Sequence, residues 1–313
     1  MADVAASVAA LPRTAILRAA DSPRLRRVVQ RYGMRLGAAR FVAGETLDQC
    51  VVVLRRLNDA GLDANATLLG EDIPDVAGAA AVTASYEEIL DRLAAEDLRA
   101  NVALKLTHLG LSFDEAAART NLERLVTHAA ERGNFIRIDM EQSAFVDATL
   151  RIFEAVRSRG HENVGCVLQS YLYRSPDDLE RLLPLQPNVR IVKGAYLEPA
   201  DVAYPAKRDV DRAYVELVER GLRGGAYVAV ATHDEKIIRH VRRLAELEGI
   251  GRDRFEFQML FGVRPALQRA VAHGGYRVRV ATPFGPDWYP YLMRRLAERP
   301  ANLMFFLRSL VRR

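Results

Sequence analysis

The chain has 313 residues, half of them hydrophobic, with a net charge of +5 and a pI near 9.3. That length supports one large core. The arginines are interspersed with acids rather than gathered in one run, which excludes a nucleic-acid protein and leaves room for anionic ligands or an anionic membrane surface.

Residues 1–20 are Ala-rich with scattered Arg and are broken by Pro12. They predict an amphipathic helix over the main fold rather than a transit peptide, and residues 1–62 as a whole a helical layer. No stretch approaches the ~20 apolar residues of a membrane span. Cys50 and Cys166 lie in apolar runs, as buried thiols of a reducing compartment do. From residue 63 onward β-rich runs recur at 63–70, 101–107, 135–141, 164–171, 189–196, 227–233, 255–260 and 276–281, with helical patterns between them. Thr46–Gln49 and Ser112–Glu115 fit capping boxes. Ser175-Pro176-Asp177-Asp178 reads as a cap, a first-turn proline and two first-turn acids. Eight strand–helix units predict an α/β fold, a (β/α)8 TIM barrel over 63–313, with extra N-terminal helices and a last helix over the barrel mouth. A doubly wound open sheet is the alternative, but no GxGxxG follows the first strand.

In such a barrel, chemistry sits at the C-terminal ends of the strands. Glu71, Lys105, Asp139, Glu141, Gln169, Lys193, Tyr196, Thr232, His233 and Gln258 all fall in or just after those ends. Any one of them is equally well a satisfied core polar group; seven strands converging on one rim are harder to explain that way. After the eighth strand comes DWYPYLMRRLAERPAN, where Tyr291, Arg294, Arg295 and Glu298 recur at helical offsets. Two neighbouring guanidiniums fit a shared anion, above all a carboxylate, with Trp288, Tyr289 and Tyr291 beside them. The other histidines show no paired ligand spacing, and no metal is expected.

These runs together resemble the FAD-dependent proline dehydrogenases in their short monofunctional bacterial form. The marks are Leu69-Gly70-Glu71, the Lys105 strand, IDME at 138–141, RIVKGAY at 190–196, ATHD at 231–234, FEFQML at 255–260 and YLMRRLAERPAN at 291–302. The resemblance implies non-covalent FAD, oxidation of L-proline to pyrroline-5-carboxylate, and electrons passed to a membrane quinone. It further implies a cytoplasmic protein with peripheral association at the inner membrane face. Carried over by position, Lys105, Arg294 and Arg295 would hold the substrate carboxylate, Glu298 would orient an arginine, and Glu71 would pair with Arg294 as a gate. Tyr196 and Leu260 would pack near the substrate ring, and Asp139 would lie in the polar network below the flavin. Arg190 would lie near flavin N5 and Gln169 at the pyrimidine edge, with Val192, Gly194, Ala195, Thr232 and His233 lining the rest of the cofactor.

One position departs from the pattern. Ala281 stands where the family carries a tyrosine that packs on the substrate ring, which leaves 4-hydroxyproline or a broader set of imino acids open as substrates. Two rivals stand beside this reading: a Schiff-base lyase using Lys105 or Lys193, and a non-catalytic imino-acid-binding barrel.

Overall fold

The structure, a computed structural model, describes residues 37–298 together with Ser22, Arg27, Val29, Gly33 and Met34; for Arg294, Leu296, Ala297 and Glu298 it describes the backbone alone. The helix expected over 1–20 and the side-chain roles expected of Arg294 and Glu298 lie outside the described residues.

Eight parallel strands close a barrel in sequence order. They are β1 (Asp63–Leu68), β2 (Ala100–Lys105), β3 (Ile136–Asp139), β4 (Val164–Gln169), β5 (Asn188–Val192), β6 (Tyr227–Ala231), β7 (Phe255–Leu260) and β8 (Val278–Phe284). Helices follow each strand and cover the outside, and the helix Leu47–Asp59 packs against β1 and β8 before the first strand. Strand alternation sends Val102, Leu104, Ile136, Ile138, Phe255 and Phe257 outward into the helix layer, where they are buried in one continuous apolar core. The same alternation turns Asp63, Asn101, Arg137, Arg190, Glu256, Gln258 and Arg279 inward. The barrel lumen is therefore polar, unlike the usual filling of branched aliphatics.

Most expected strands run past the observed ends, into rim segments such as Ser170-Tyr171 and Thr232-His233. The fifth was expected over 189–196 and stops at Val192; the chain then turns through Gly194 at φ +111, a left-handed conformation open to glycine. The eighth errs the other way and continues through Pro283. Carbonyls keep its edge bonded: Ala43 N donates to Pro283 O and Leu69 N to Phe284 O, both at 2.8 Å. The caps also differ from expectation. Thr46 caps its helix, but Gln49 reaches Glu45 N at 2.7 Å rather than Thr46 N. Asp114 is the true cap of the helix Glu115–Glu131 after β2, whereas Ser112 bonds Asp72. Ser175 donates to Gln169 O at 2.6 Å and caps nothing.

A second, smaller core lies over the β1–β8 side of the rim, where Val29, Ala38, Phe41, Val42 and Leu69 pack with Trp288, Tyr289, Leu292 and Met293. It seats the closing helix Trp288–Glu298, and Trp288 Nε1 donates to Glu45 Oε1 at 2.7 Å. Trp288 and Tyr289 therefore anchor the helix, while Tyr291 lies under the Arg295 guanidinium at 5.6 Å.

Candidate active site at the C-terminal rim

The strand register brings the expected side chains to one level. Lys105 of β2 pairs with Asp139 of β3, Gln169 of β4 with Val192 of β5, and Leu260 of β7 with Ala281 of β8. Gln169, Arg190 and Thr232 are buried. Glu71, Lys105, Asp139, Val192, Gly194, Ala195, Tyr196, His233, Leu260, Ala281 and Arg295 are half-buried, as side chains lining an open mouth should be.

Lys105 Nζ forms an ion pair with Glu71 across the mouth. Next to them His108 is buried, its Nδ1 hydrogen-bonded to Tyr86 OH at 3.1 Å. Burial first, then the Lys105 charge, pushes the His108 pKa down to about 4, so the ring is neutral at physiological pH. Gly70 is required above it, since a Cβ there would meet His108 Nε2 at 2.4 Å.

Glu141 serves the scaffold. It is buried, and burial raises its pKa. It accepts from Thr107 N at 3.1 Å and Thr107 Oγ1 at 2.6 Å, and its carbonyl accepts from Gln169 Nε2 at 2.9 Å. The ends of β2, β3 and β4 are thereby tied together and Gln169 is fixed. On the other side, His233 Nε2 accepts from Leu260 N at 3.0 Å, pinning β6 to β7 and placing the proton of the neutral ring on Nδ1. The loop that carries Ala195 and Tyr196 is held by Ser143, whose N and Oγ donate to Glu198 at 2.7 and 2.6 Å. Tyr204 N donates to Tyr171 O at 2.7 Å and secures its far end.

Arg190 rises in the lumen just below the rim. Nη2 pairs with Asp139, Nη1 donates to Gln258 Oε1 at 3.3 Å, and Nε has no hydrogen-bond partner although it is buried. Burial lowers its pKa to about 9, with the positive charges of Arg137 and Arg279 adding to the effect. Lys193 turns away from the mouth: it bonds Asp211 at 2.5 Å and lies over the Tyr214 ring. Sequence reading passed over Glu256 and Tyr171. The first shares a strand face with Gln258 by simple alternation; the second lies behind Gly194, where a Cβ would strike its ring at 2.3 Å, and no spacing signals that.

A cavity of about 700 Å³ opens at the opposite end of the barrel, lined by Asp63, Arg99, Arg137, Glu256, Arg277 and Arg279 among others. Its charges are largely matched. Asp63 lies within 3.5 Å of Arg99, Arg277 and Arg279, and Glu256 accepts from Arg279 at 2.9 Å. Glu71, Lys105, Asp139, Gln169, Arg190 and Tyr196 do not line this cavity. Cys50 and Cys166 are buried free thiols with pKa values pushed up to about 12 by burial, so neither is a nucleophile. No group of His, Cys, Asp and Glu able to hold a metal occurs among the described residues.

Comparison with known proteins agrees with this geometry. The family model described as proline dehydrogenase matches residues 50–308. A proline dehydrogenase of Deinococcus radiodurans is 44% identical over 306 residues, covering 96% of this chain and 98% of the relative. Proline dehydrogenase 1 of Bacillus subtilis is 40% identical over 289 residues, covering 92% and 95% respectively. Among solved structures, that of proline utilization A (PutA) from Bdellovibrio bacteriovorus, inactivated by N-propargylglycine, superposes with a TM-score of 0.79 at 25% identity. That match covers 85% of this chain and 33% of the larger one. With an eight-stranded barrel, a polar C-terminal rim and full-length relatives of this kind, the chain belongs to the proline dehydrogenase family.

Proposed function

We propose that the protein oxidises L-proline to pyrroline-5-carboxylate with non-covalent FAD and passes the electrons to a quinone. The observation that carries this reading is Arg190, a buried guanidinium held by Asp139 and Gln258 with Nε still unsatisfied. An unpaired buried donor is costly, and an electron-rich ring system placed against it relieves that cost. Gly194 fits the same reading: at φ +111 and without a side chain it lets the Tyr171 ring pack directly on the backbone that would line the cofactor. FAD, when bound, supplies the two-electron acceptor. Gln169 and Arg190 would hold its ring system, and Val192, Gly194, Ala195, Thr232 and His233 would line the remainder.

The rest of the site binds and orients. Lys105 and Arg295 would hold the substrate carboxylate as a cationic clamp, with Arg294 as its expected third member and Glu298 expected to orient one arginine. Glu71 keeps Lys105 compensated until a carboxylate enters and closes the mouth as a gate. Tyr196 and Leu260 wall the substrate ring, so that positioning supplies much of the rate. Phe113, Tyr173 and Leu197 are exposed apolar side chains on loops that follow β2, β4 and β5, and Val76 opens the helix after β1. All four lie at the rim end, which supports access for a lipid-borne quinone and a peripheral position at the inner membrane face. No helix among the described residues is long and apolar enough to cross a membrane.

A second substrate reading has one observation in its favour. Ala281 is half-buried beside Leu260, and strand alternation turns Phe284 to the opposite face, into the main core. Trp288 is likewise engaged in the second core. Neither fills the space of a missing ring, which favours tolerance of a 4-hydroxyl group. The Schiff-base alternative loses ground, since Lys193 is bound to Asp211 and Lys105 to Glu71. Acid precipitation of the purified protein should release FAD to the supernatant, and turnover of L-proline should proceed with an artificial acceptor. A protein that neither carries nor takes up FAD refutes the proposal.

A further inference from the structure

Below Arg190 the lumen holds a second polar layer. Glu256 is only 3% exposed, yet several cations hold its carboxyl ionised: burial alone would raise its pKa, while the Arg279 charge and hydrogen bonds from Arg279 and Gln258 bring it below the usual range. Its Oε1 accepts from Arg279 Nε at 2.9 Å and from Gln258 Nε2 at 2.5 Å, and its Oε2 accepts from Tyr227 OH at 3.2 Å. An ionised carboxylate accepts and never donates. The Gln258 amide therefore has one allowed orientation, with its NH2 group toward Glu256 and its oxygen toward Arg190 Nη1 at 3.3 Å. The flipped amide would set oxygen against carboxylate and NH2 against guanidinium, two repulsive contacts in a site of low dielectric.

We propose that Glu256 is a positioning residue for Arg190: by fixing which end of the Gln258 amide faces upward, it locks the guanidinium between Gln258 and Asp139 at the place where the flavin would meet it. The inference rests on the flavin reading above and adds to it a buried residue two positions from Gln258 on the same strand face. Glu256 touches neither substrate nor cofactor and acts through Gln258.

The test is the flavin midpoint potential of the FAD-loaded wild type, Glu256→Gln, Gln258→Met and the double variant. A locked cation beside the ring favours the reduced, anionic flavin. Freeing it should make the reduced form at least tenfold less favoured, about 30 mV lower for a two-electron couple. Both single variants should shift downward, and the double variant no further than either, since the two residues form one chain. A Glu256 that acted only through its charge would give the opposite sign, because removing a negative charge raises the potential. A rise in Glu256→Gln, or an unchanged potential in Gln258→Met, overturns the proposal. Gln258→Met keeps the Glu256–Arg279 pair and decides the matter alone if Glu256→Gln does not fold. Wild-type protein without flavin would instead refute the parent reading, an outcome distinct from loaded variants with unaltered potential.

Discussion

The two ends of the barrel lumen are built from the same residue types and put to different uses. At the N-terminal end, Arg279, Arg277 and Arg99 share Asp63, and Arg279 also holds Glu256. At the C-terminal end, Lys105 and Glu71 are paired but half-buried, and Arg190, paired with Asp139, keeps an unsatisfied Nε. Charge shared among several opposite partners is a stability device. Charge with unmet hydrogen-bonding capacity beside open space is a binding device. Neither the arginine count nor a lone unsatisfied Nε separates the ends, since Arg137 keeps one at the N-terminal end too; the sharing of Asp63 among three guanidiniums does.

The largest expected effect lies at the N-terminal end. Arg279→Met leaves the buried Glu256 without its guanidinium, and breaking such a buried pair costs about 3–5 kcal/mol of stability. Denaturant unfolding reads it, and a loss below ~1 kcal/mol would show that the lower layer is not the structural one. At the open end the order of effects inverts. Arg295→Met should leave stability close to wild type but lower kcat/KM for proline by the equivalent of about 2–5 kcal/mol, with FAD still bound. Near-normal kcat/KM would place the anion elsewhere.

His108 sharpens the contrast by acidity. Its pKa is about 4 when folded against 6.5 in the free side chain. The unfolded chain therefore takes up a proton as pH falls through 6.5, while the folded protein resists until about 4. Between those values the unfolded state binds more protons, so stability drops as pH falls, by up to about 3 kcal/mol across the window. His108→Gln should flatten that part of the stability–pH curve; an unchanged slope would mean that other groups carry it. The smallest effect concerns Ala281. Ala281→Tyr should raise kcat/KM for proline and lower it for trans-4-hydroxy-L-proline, each by the equivalent of about 1–3 kcal/mol. Unaltered ratios would show that position 281 does not wall the ring.

The barrel was legible because alternation and helix punctuation repeat eight times, and because one polar residue after another closes an apolar run. The strand ends were less so, since Lys193-Gly194-Ala195-Tyr196 follows the strand without a proline or a turn cluster while Gly194 has already turned the chain. Caps misled where a hydroxyl had a tertiary partner: Ser175 bonds Gln169 O and Ser112 bonds Asp72. The rim residues Lys105, Asp139, Gln169 and Arg190 do meet as expected, since strand register alone decides it. The pairing of Glu71 with Lys105, the burial of Trp288 and the Glu256–Gln258–Arg190 chain depend on contacts between distant segments, and no local pattern encodes them.

Anaerobic mixing of the FAD-loaded protein with substrate tests the central claim most directly. L-proline should bleach the flavin's visible absorbance in a saturable manner, with pyrroline-5-carboxylate as the product, and trans-4-hydroxy-L-proline should compete more closely than in relatives carrying tyrosine at this position. A flavin-loaded protein bleached by neither imino acid would contradict the account.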